Sequence, residues 1–182
     1  QIGAGSALPT SGTVFVSVVD PGVGTHRRSV VLKTNSGHFI VTPDNGTLTL
    51  LAESLGIAEM REIDEAVNRR KNSERSYTFH GRDVYAYTAA RLAAGSITCE
   101  QVGPVLPKQV VNIPYQQAEM TGNRVKGTIA ILDVQYGNIW TNIPAELFNK
   151  LNVKVGDKLR VLIYRNNIKR YEGIMPYSET FG

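Results

Sequence analysis

Four segments concentrate Gly, Asp, Asn and His beyond what a hydrophobic core needs. The first is Asp20-Pro21-Gly22-Val23-Gly24-Thr25-His26-Arg27-Arg28, a carboxylate at the end of a Val-rich run followed by a glycine-rich turn. Open α/β sheets receive ligands at such strand ends. Gly22 and Gly24 permit close backbone approach, and Arg27 or Arg28 can return toward Asp20. A tight turn with a surface ion pair satisfies the same residues. The second, Pro43-Asp44-Asn45-Gly46, precedes a helix. It offers backbone N–H groups to an anion, but a turn and helix cap with an architectural role describe it better. The third is Thr78-Phe79-His80-Gly81-Arg82-Asp83. His80 is the natural proton acceptor near neutral pH, and Gly81 keeps the space beside it open. A structural histidine fits equally. Arg82 and Asp83 either pair with each other or cap the following helix.

The fourth segment runs over residues 133–142, with Asp133 at the end of a strand. Tyr136, Asn138 and Trp140, the only tryptophan, follow it. Flat aromatic faces with a bidentate amide between them suit a purine ring. Two core aromatics beside a turn are the plainer description, but a lone Trp in a polar turn favours the ligand. Taken together, the four segments point to an acidic pocket for a cationic, purine-bearing ligand.

The elements that must position these residues are legible in outline. Residues 13–20 (TVFVSVVD) read as a buried strand stopped by Asp-Pro-Gly. Residues 29–33 and 38–42 read as a hairpin around Asn35-Ser36-Gly37. Residues 47–55 read as a helix stopped by Gly56, and residues 83–94 as a helix capped by Asp83 and ended by Gly95. Residues 64–77 are polar and irregular. Pro104, Pro107 and Pro114 punctuate a linker-like stretch. Beyond it, residues 124–133 and 158–165 read as strands, and residues 144–151 as a short helix with Pro144 in its first turn. The expected fold is α/β: a layered N-terminal α/β domain over residues 1–106, then a smaller, mostly-β, barrel-like domain over residues 107–182.

The composition fits a globular chain. Of 182 residues, 42% are hydrophobic and 20% charged, enough to bury a sizeable core without staples. Cys99 is the only cysteine, so no internal disulfide framework exists. Apolar runs are strand-sized, far short of the roughly 20 residues of a membrane helix. The net charge of +4 is dispersed, apart from Arg69, Arg70, Lys71 and Arg75. No aromatics are interleaved there, so this cluster reads as a solvated loop and no nucleic-acid partner is expected. The chain opens at Gln1 without a secretory pattern, and a cytoplasmic location is the expectation.

The strings VVDPGVGTHRR, PDNG, TFHGRD and YGNIWTNI, in this order, resemble the S-adenosyl-L-methionine (SAM) hydrolases. These are also called SAM hydroxide adenosyltransferases and are relatives of the fluorinating and chlorinating enzymes that use the same substrate. The resemblance runs from about Thr13 to Phe181. It implies an α/β domain followed by a β-barrel-like domain. It also implies a homotrimer whose active sites lie between the N-terminal domain of one subunit and the C-terminal domain of the next. Asp20, Arg27 and His80 fall on the family's water-activating triad. Asp133 falls on the aspartate that holds the methionine ammonium, Asn138 on the adenine-contacting asparagine, and Tyr136 and Trp140 on aromatic positions around the nucleoside. The family's opening strand, with a T-D-F-G-like turn for the ribose hydroxyls, has no counterpart here. Its closing strands, with an Asn-Ser segment, have none after Thr180-Phe181-Gly182. The expectation is the ordered part or a fragment of a longer protein.

The implied reaction is hydrolysis of SAM to adenosine and methionine, with no cofactor, metal or membrane. The sulfonium is already a good leaving group, so the difficulty lies in the nucleophile. Water, with a pKa of about 15.7, must reach ribose C5′ as near-hydroxide. His80 or Asp20 can take its proton and Arg27 can stabilise the developing charge. Two alternatives are a SAM- or adenosine-binding protein without turnover and a SAM-dependent halogenase. The halogenating relatives carry Tyr at the position of Asp20 and Ser at that of Gly81. A carboxylate at Asp20 would repel halide.

Overall fold

A computed structural model describes residues 10–179; the closing Thr180-Phe181-Gly182 and the first nine residues lie outside that range. Two compact units divide between Pro114 and Tyr115. The first is built on a four-stranded mixed sheet of β1 (Val14–Val16), β2 (Ser29–Thr34), β3 (Phe39–Pro43) and β4 (Ile57–Glu62), in the order β1-β3-β2-β4. β1 runs parallel to β3, whereas β2 is antiparallel to both β3 and β4. The hairpin expected around Asn35-Ser36-Gly37 is present, with Lys33 opposite Phe39 and Gly37 at φ 83°.

The run Val30-Val31-Leu32 is wholly buried because the sheet is covered on both faces. Successive strand side chains point to opposite faces. Val31 and Val41 pack with Val84, Tyr85, Ala89 and Val102 on one side. Val30, Leu32 and Ile40 pack with Leu48, Met60 and Val110 on the other. The first face is covered by a π-helical turn (Gly81–Ala86) that runs into α2 (Tyr87–Ala93). Leu48 and Ala52, at and within α1 (Thr49–Leu55), help cover the second. Gly56, at φ 66°, ends α1 as the sequence implies.

Several expectations change. The strand expected over residues 13–20 is only Val14–Val16, and it is not buried: Phe15 is 42% and Val19 63% exposed. Among the described residues β1 is an edge strand paired only with β3, and beyond Ser17 the chain leaves the sheet. The helix expected from Asp83 starts earlier, at Gly81. Asp83 is therefore not its cap but is enclosed beside Arg82, which donates to it from Nε at 2.7 Å and Nη2 at 2.8 Å. β4 was not legible, because Glu59, Arg61 and Glu62 interrupt its apolar pattern; pairing of Met60 with Leu32 fixes it.

The second unit contains three separate ladders: β5 (Glu119–Thr121) with β6 (Arg124–Lys126), β7 (Ile129–Asp133) with β8 (Asn138–Thr141), and β9 (Lys158–Arg165) with β10 (Ile168–Pro176). α3 (Ala145–Asn149) follows Pro144. The ladders are local antiparallel hairpins, so among the described residues there is no closed barrel. The strand expected over residues 124–133 is two strands. They break at Gly127-Thr128, where the Thr128 N–H turns to the Asn142 side chain at 2.7 Å. Asn166 and Asn167, both at positive φ, make the two-residue turn of the β9–β10 hairpin. Among the described residues no helix is long and apolar enough to cross a membrane.

Gly103, at φ 152°, tests the packing of β4 against the 3-10 turn of Glu100–Val102, since a Cβ there would strike the Glu62 carbonyl oxygen. Gly103→Ala should lower unfolding free energy by about 3 kcal/mol, through strain plus overpacking. Gly122→Ala, at φ 59° in open space, should cost only about 1 kcal/mol. Urea unfolding of both variants checks this; equal losses would contradict the packing described.

Candidate active site

The glycine-rich turn folds Arg27 back onto Asp20. Val23 N–H bonds to the Asp20 carbonyl at 3.3 Å, and both Thr25 N–H and Thr25 Oγ1 bond to the Gly22 carbonyl, at 3.1 and 2.7 Å. Gly24, at φ 77°, lies so close to the preceding residues of the His80 segment that a Cβ would sit 3.1 Å from the Tyr77 carbonyl oxygen. A Cβ on Gly81 would meet Val18 at 3.3 Å. Small residues at these two points thus let the Asp20 and His80 segments lie against each other. The Pro43-Asp44-Asn45-Gly46 turn is a clamp. Asp44 accepts from Arg28 Nη2 at 3.0 Å and Val111 N–H at 2.8 Å, while the Asn45 amide donates to the Val19 carbonyl at 2.9 Å, next to Asp20.

Asp20 and Arg27 form a bidentate pair. Arg27 Nε donates to Asp20 Oδ1 at 2.9 Å and Nη2 to Oδ2 at 2.6 Å. Their side chains are only 5% and 10% exposed, so both charges are largely withdrawn from bulk water. The remaining guanidinium edge donates from Nη1 to Ser29 Oγ at 3.2 Å. Ser29 Oγ lies 3.1 Å from both Glu65 Oε1 and the Tyr85 hydroxyl. A serine hydroxyl has one proton and two lone pairs. Donation to Glu65 leaves room for the Arg27 and Tyr85 protons, which satisfies the group completely.

Glu65 carries the network on. Its Oε2 accepts from Arg69 Nη2 at 2.7 Å and lies 3.3 Å from His80 Nε2. Arg69 Nη2 is itself 3.2 Å from that ring nitrogen. His80 is buried, and its Nδ1 has no hydrogen-bond partner among the described residues. Asp20 and Arg27 therefore touch directly, and His80 joins them through Ser29 and Glu65.

Ser29, Glu65, Arg69 and Tyr85 were not singled out by sequence. Arg69 corrects the reading of its cluster as solvated: its side chain is 9% exposed and faces Glu65, whereas Arg70, Lys71 and Arg75 are exposed. The four-residue spacing of Glu65 and Arg69 was the available signal, since such spacing allows pairing within one helical turn.

The other expected residues belong to the second unit. Asp133 and Asn138 are directly paired across β7 and β8 and close a four-residue loop that holds Tyr136, 72% exposed. Asn138 and Trp140 are two apart on one strand, so they share a face with Asp133. Among the described residues no three His, Cys, Asp or Glu side chains gather as a metal-binding group.

Burial by itself would lower the Arg27 pKa. The hydrogen bonds Arg27 donates to Asp20, together with the neighbouring Tyr85, Asp20 and Glu65, outweigh it, so the guanidinium is held above its ordinary value. Burial pushes the Tyr85 hydroxyl from 10.0 up to about 12, only partly offset by Ser29 and Arg27. The phenol thus keeps its proton in the folded state while the unfolded chain releases it first. Stability should be unaffected by this group below pH ~10 and fall as pH rises from about 10 to about 12. Tyr85→Phe should cost about 1 kcal/mol at neutral pH through the lost hydrogen bond and should flatten the alkaline loss. Urea midpoints measured against pH check this; a wild-type-minus-variant difference that stays constant across the window would contradict it.

Residues 6–103 match the family described as SAM hydroxide adenosyltransferase N-terminal domain, and residues 127–182 its C-terminal domain. A protein of Methanocaldococcus jannaschii named (R)-S-adenosyl-L-methionine hydrolase is 34% identical, over 87% of this chain and 52% of its own length. A Nocardia brasiliensis protein named fluorinase is 28% identical, over 91% of this chain and 60% of its own. An uncharacterised conserved protein of Thermotoga maritima has a crystal structure that superimposes with a TM-score of 0.82 at 39% identity, over 93% of this chain and 61% of that one. The chain spans about half the length of the curated hydrolases it matches. With both domains matched in order on a shared fold, the chain belongs to the SAM hydroxide adenosyltransferase family.

Proposed function

We propose that this protein is a hydrolase that converts S-adenosyl-L-methionine and water to adenosine and L-methionine. The observation that carries the reading is the part-buried Asp20–Arg27 pair, joined through Ser29 and Glu65 to the buried His80. A proton acceptor and a fixed positive charge are the two things an attacking water needs and a departing sulfonium does not. His80 takes the proton. Arg27, oriented by Asp20, stabilises the hydroxide-like oxygen in the transition state. Oxygen bonds to ribose C5′ as the C5′–sulfur bond breaks, and the electron pair leaves on the methionine thioether. In-line attack makes positioning a large part of the rate. In the second unit Asp133 holds the methionine ammonium, Asn138 the adenine edge, and Tyr136 and Trp140 flank the nucleoside. On the family resemblance, the reading extends to a homotrimer.

The fluorinase relatives raise halide as a competing nucleophile. Asp20 disfavours it here, because it already takes up the Arg27 guanidinium edge that could otherwise hold an anion. The name of the hydrolase relatives specifies R. The L prefix already fixes the amino-acid carbon, so R designates the sulfonium epimer, and this protein is assigned the same preference.

The intact protein should be incubated with each sulfonium epimer separately, without halide, and the products resolved by liquid chromatography. Adenosine and methionine in equal amounts, faster from the R epimer, are expected. Intact SAM with folded protein would replace the reading with one of binding alone. His80→Ala and Arg27→Ala should each lower turnover by roughly 10²- to 10³-fold while SAM affinity changes less than about threefold. Normal turnover in either variant would remove its assigned role. Asn138→Ala should weaken SAM and adenosine alike by about tenfold, as expected for one lost amide contact; unchanged affinity for both removes Asn138 from the adenine site.

A further inference from the structure

Arg70, Lys71 and Arg75 stay outside the network that encloses Arg69, yet folding gives them a common place. With Arg82, Ser73 and Ser76 they line a solvent-open cleft of about 280 Å³ in the first unit. Four cationic side chains border this one small volume, and no carboxylate lines it. We propose that the cleft is a binding site for a small oligophosphate, a chain of two or three phosphoryl groups either free or carried on a nucleotide. None of its residues is used by the hydrolytic reading.

Backbone bonds hold the loop in shape. Arg70 N–H donates to the Asp83 carbonyl at 2.8 Å, Ser73 Oγ to the Arg70 carbonyl at 2.6 Å, and Ser76 N–H to the Ser73 carbonyl at 3.1 Å. Arg69 Nη1 donates to the Ser76 carbonyl at 3.4 Å. Asn72 takes the left-handed φ of 63° that turns the chain, a conformation asparagine tolerates. The loop thereby keeps Arg70, Lys71 and Arg75 near one another although like charges repel. No ion-pair partner answers any of the three among the described residues. Glu74, the carboxylate within the loop, accepts from Asn72 N–H at 3.2 Å and does not line the cleft.

Arg82 is oriented before any ligand arrives. Its Nε and Nη2 are spent on the buried Asp83, and its guanidinium carbon lies 4.9 Å from the centre of the Phe79 ring. Nη1 has no protein acceptor among the described residues. A guanidinium fixed in this way loses little freedom on binding.

The donor set selects the ligand class. Arginine forks match phosphate oxygens, and each such bond is charge-assisted. Asp83 balances Arg82, which leaves three uncompensated cations around the cleft. A single carboxylate or orthophosphate reaches only some of them. A chain of phosphoryl groups carries several negative charges and spreads them along the cleft. The cationic residues are confined to one loop and the Arg82 turn, too short a track to follow a nucleic-acid backbone over several nucleotides.

The experiment is calorimetric titration of the intact protein with inorganic tripolyphosphate, in metal-free buffer near 0.15 M salt, where screening sets in beyond ~8 Å. One tripolyphosphate per chain is expected, bound at least about tenfold tighter than orthophosphate, which meets fewer cations. Arg70→Gln and Arg75→Gln should each weaken it about tenfold, the size of one lost charge-assisted contact. Lys108→Gln removes the same charge outside the cleft and should change affinity less than about twofold. Amide NMR shifts in the wild-type protein should centre on residues 70–76 and 82, which locates the ligand without any variant. A pyrimidine nucleoside triphosphate that binds no tighter than tripolyphosphate makes the bare phosphate chain the recognised ligand, and one that binds tighter makes it a nucleotide; either result supports the site. No binding at millimolar tripolyphosphate, equal affinity for orthophosphate, equal weakening by Lys108→Gln and Arg75→Gln, or shifts centred elsewhere would overturn the inference. An oligonucleotide that binds tighter than tripolyphosphate would also overturn it, in favour of a nucleic-acid surface.

Discussion

A carboxylate and a guanidinium that are almost cut off from bulk water place demands on everything near them. Asp20 and Arg27 satisfy each other on one edge, but each unmet N–H or lone pair in such a place carries a desolvation cost. The surrounding residues are those demands met in order. Arg27 needs an acceptor for Nη1 and finds Ser29. Ser29 then has a proton to place and a lone pair to fill, and finds Glu65 and Tyr85. Glu65 brings a second charge, and Arg69 answers it. A buried ion pair contributes little net stability, because desolvation offsets the Coulomb attraction. A fixed positive charge in a poorly solvated place is worth more to a reaction that develops negative charge on oxygen.

The fold supplies this arrangement with few parts. Ser29 lies on β2 two residues before Val31, so both point to the sheet face that Tyr85 covers. The polar network is therefore the continuation of one hydrophobic layer past the end of its strand. Gly24 and Gly81 do the rest by omission, since a Cβ at either would press on the Tyr77 carbonyl or on Val18. Asp44 and Asn45 fasten the same region from the other side, tying Arg28, Val111 and Val19 together. The residues proposed for the nucleoside follow a different rule. Asp133 and Asn138 face each other because they are the last pair of a hairpin ladder, and Trp140 joins their face by the period of the strand.

Sequence by itself determined the local things: the β2–β3 hairpin, the end of α1 at Gly56, the β9 strand, and the four motifs in their order. Turn chemistry and side-chain period act over a few residues, so a reader of the chain sees them. Motif resemblance also gave the expectation that Asp20, Arg27 and His80 lie together. Tertiary structure alone decided that the Val-rich run at 13–20 is a short exposed edge, that β4 exists despite its charges, and that Asp83 pairs with Arg82 inside a helix rather than capping it. Each depends on a neighbour distant in sequence or on where the helix starts. Ser29 and Tyr85, and the place of Glu65 beside His80, were hidden for the same reason. Glu65 lies 36 residues from Ser29, and Tyr85 lies 56. Nothing in a polar stretch marks which carboxylate folding will carry to a buried histidine.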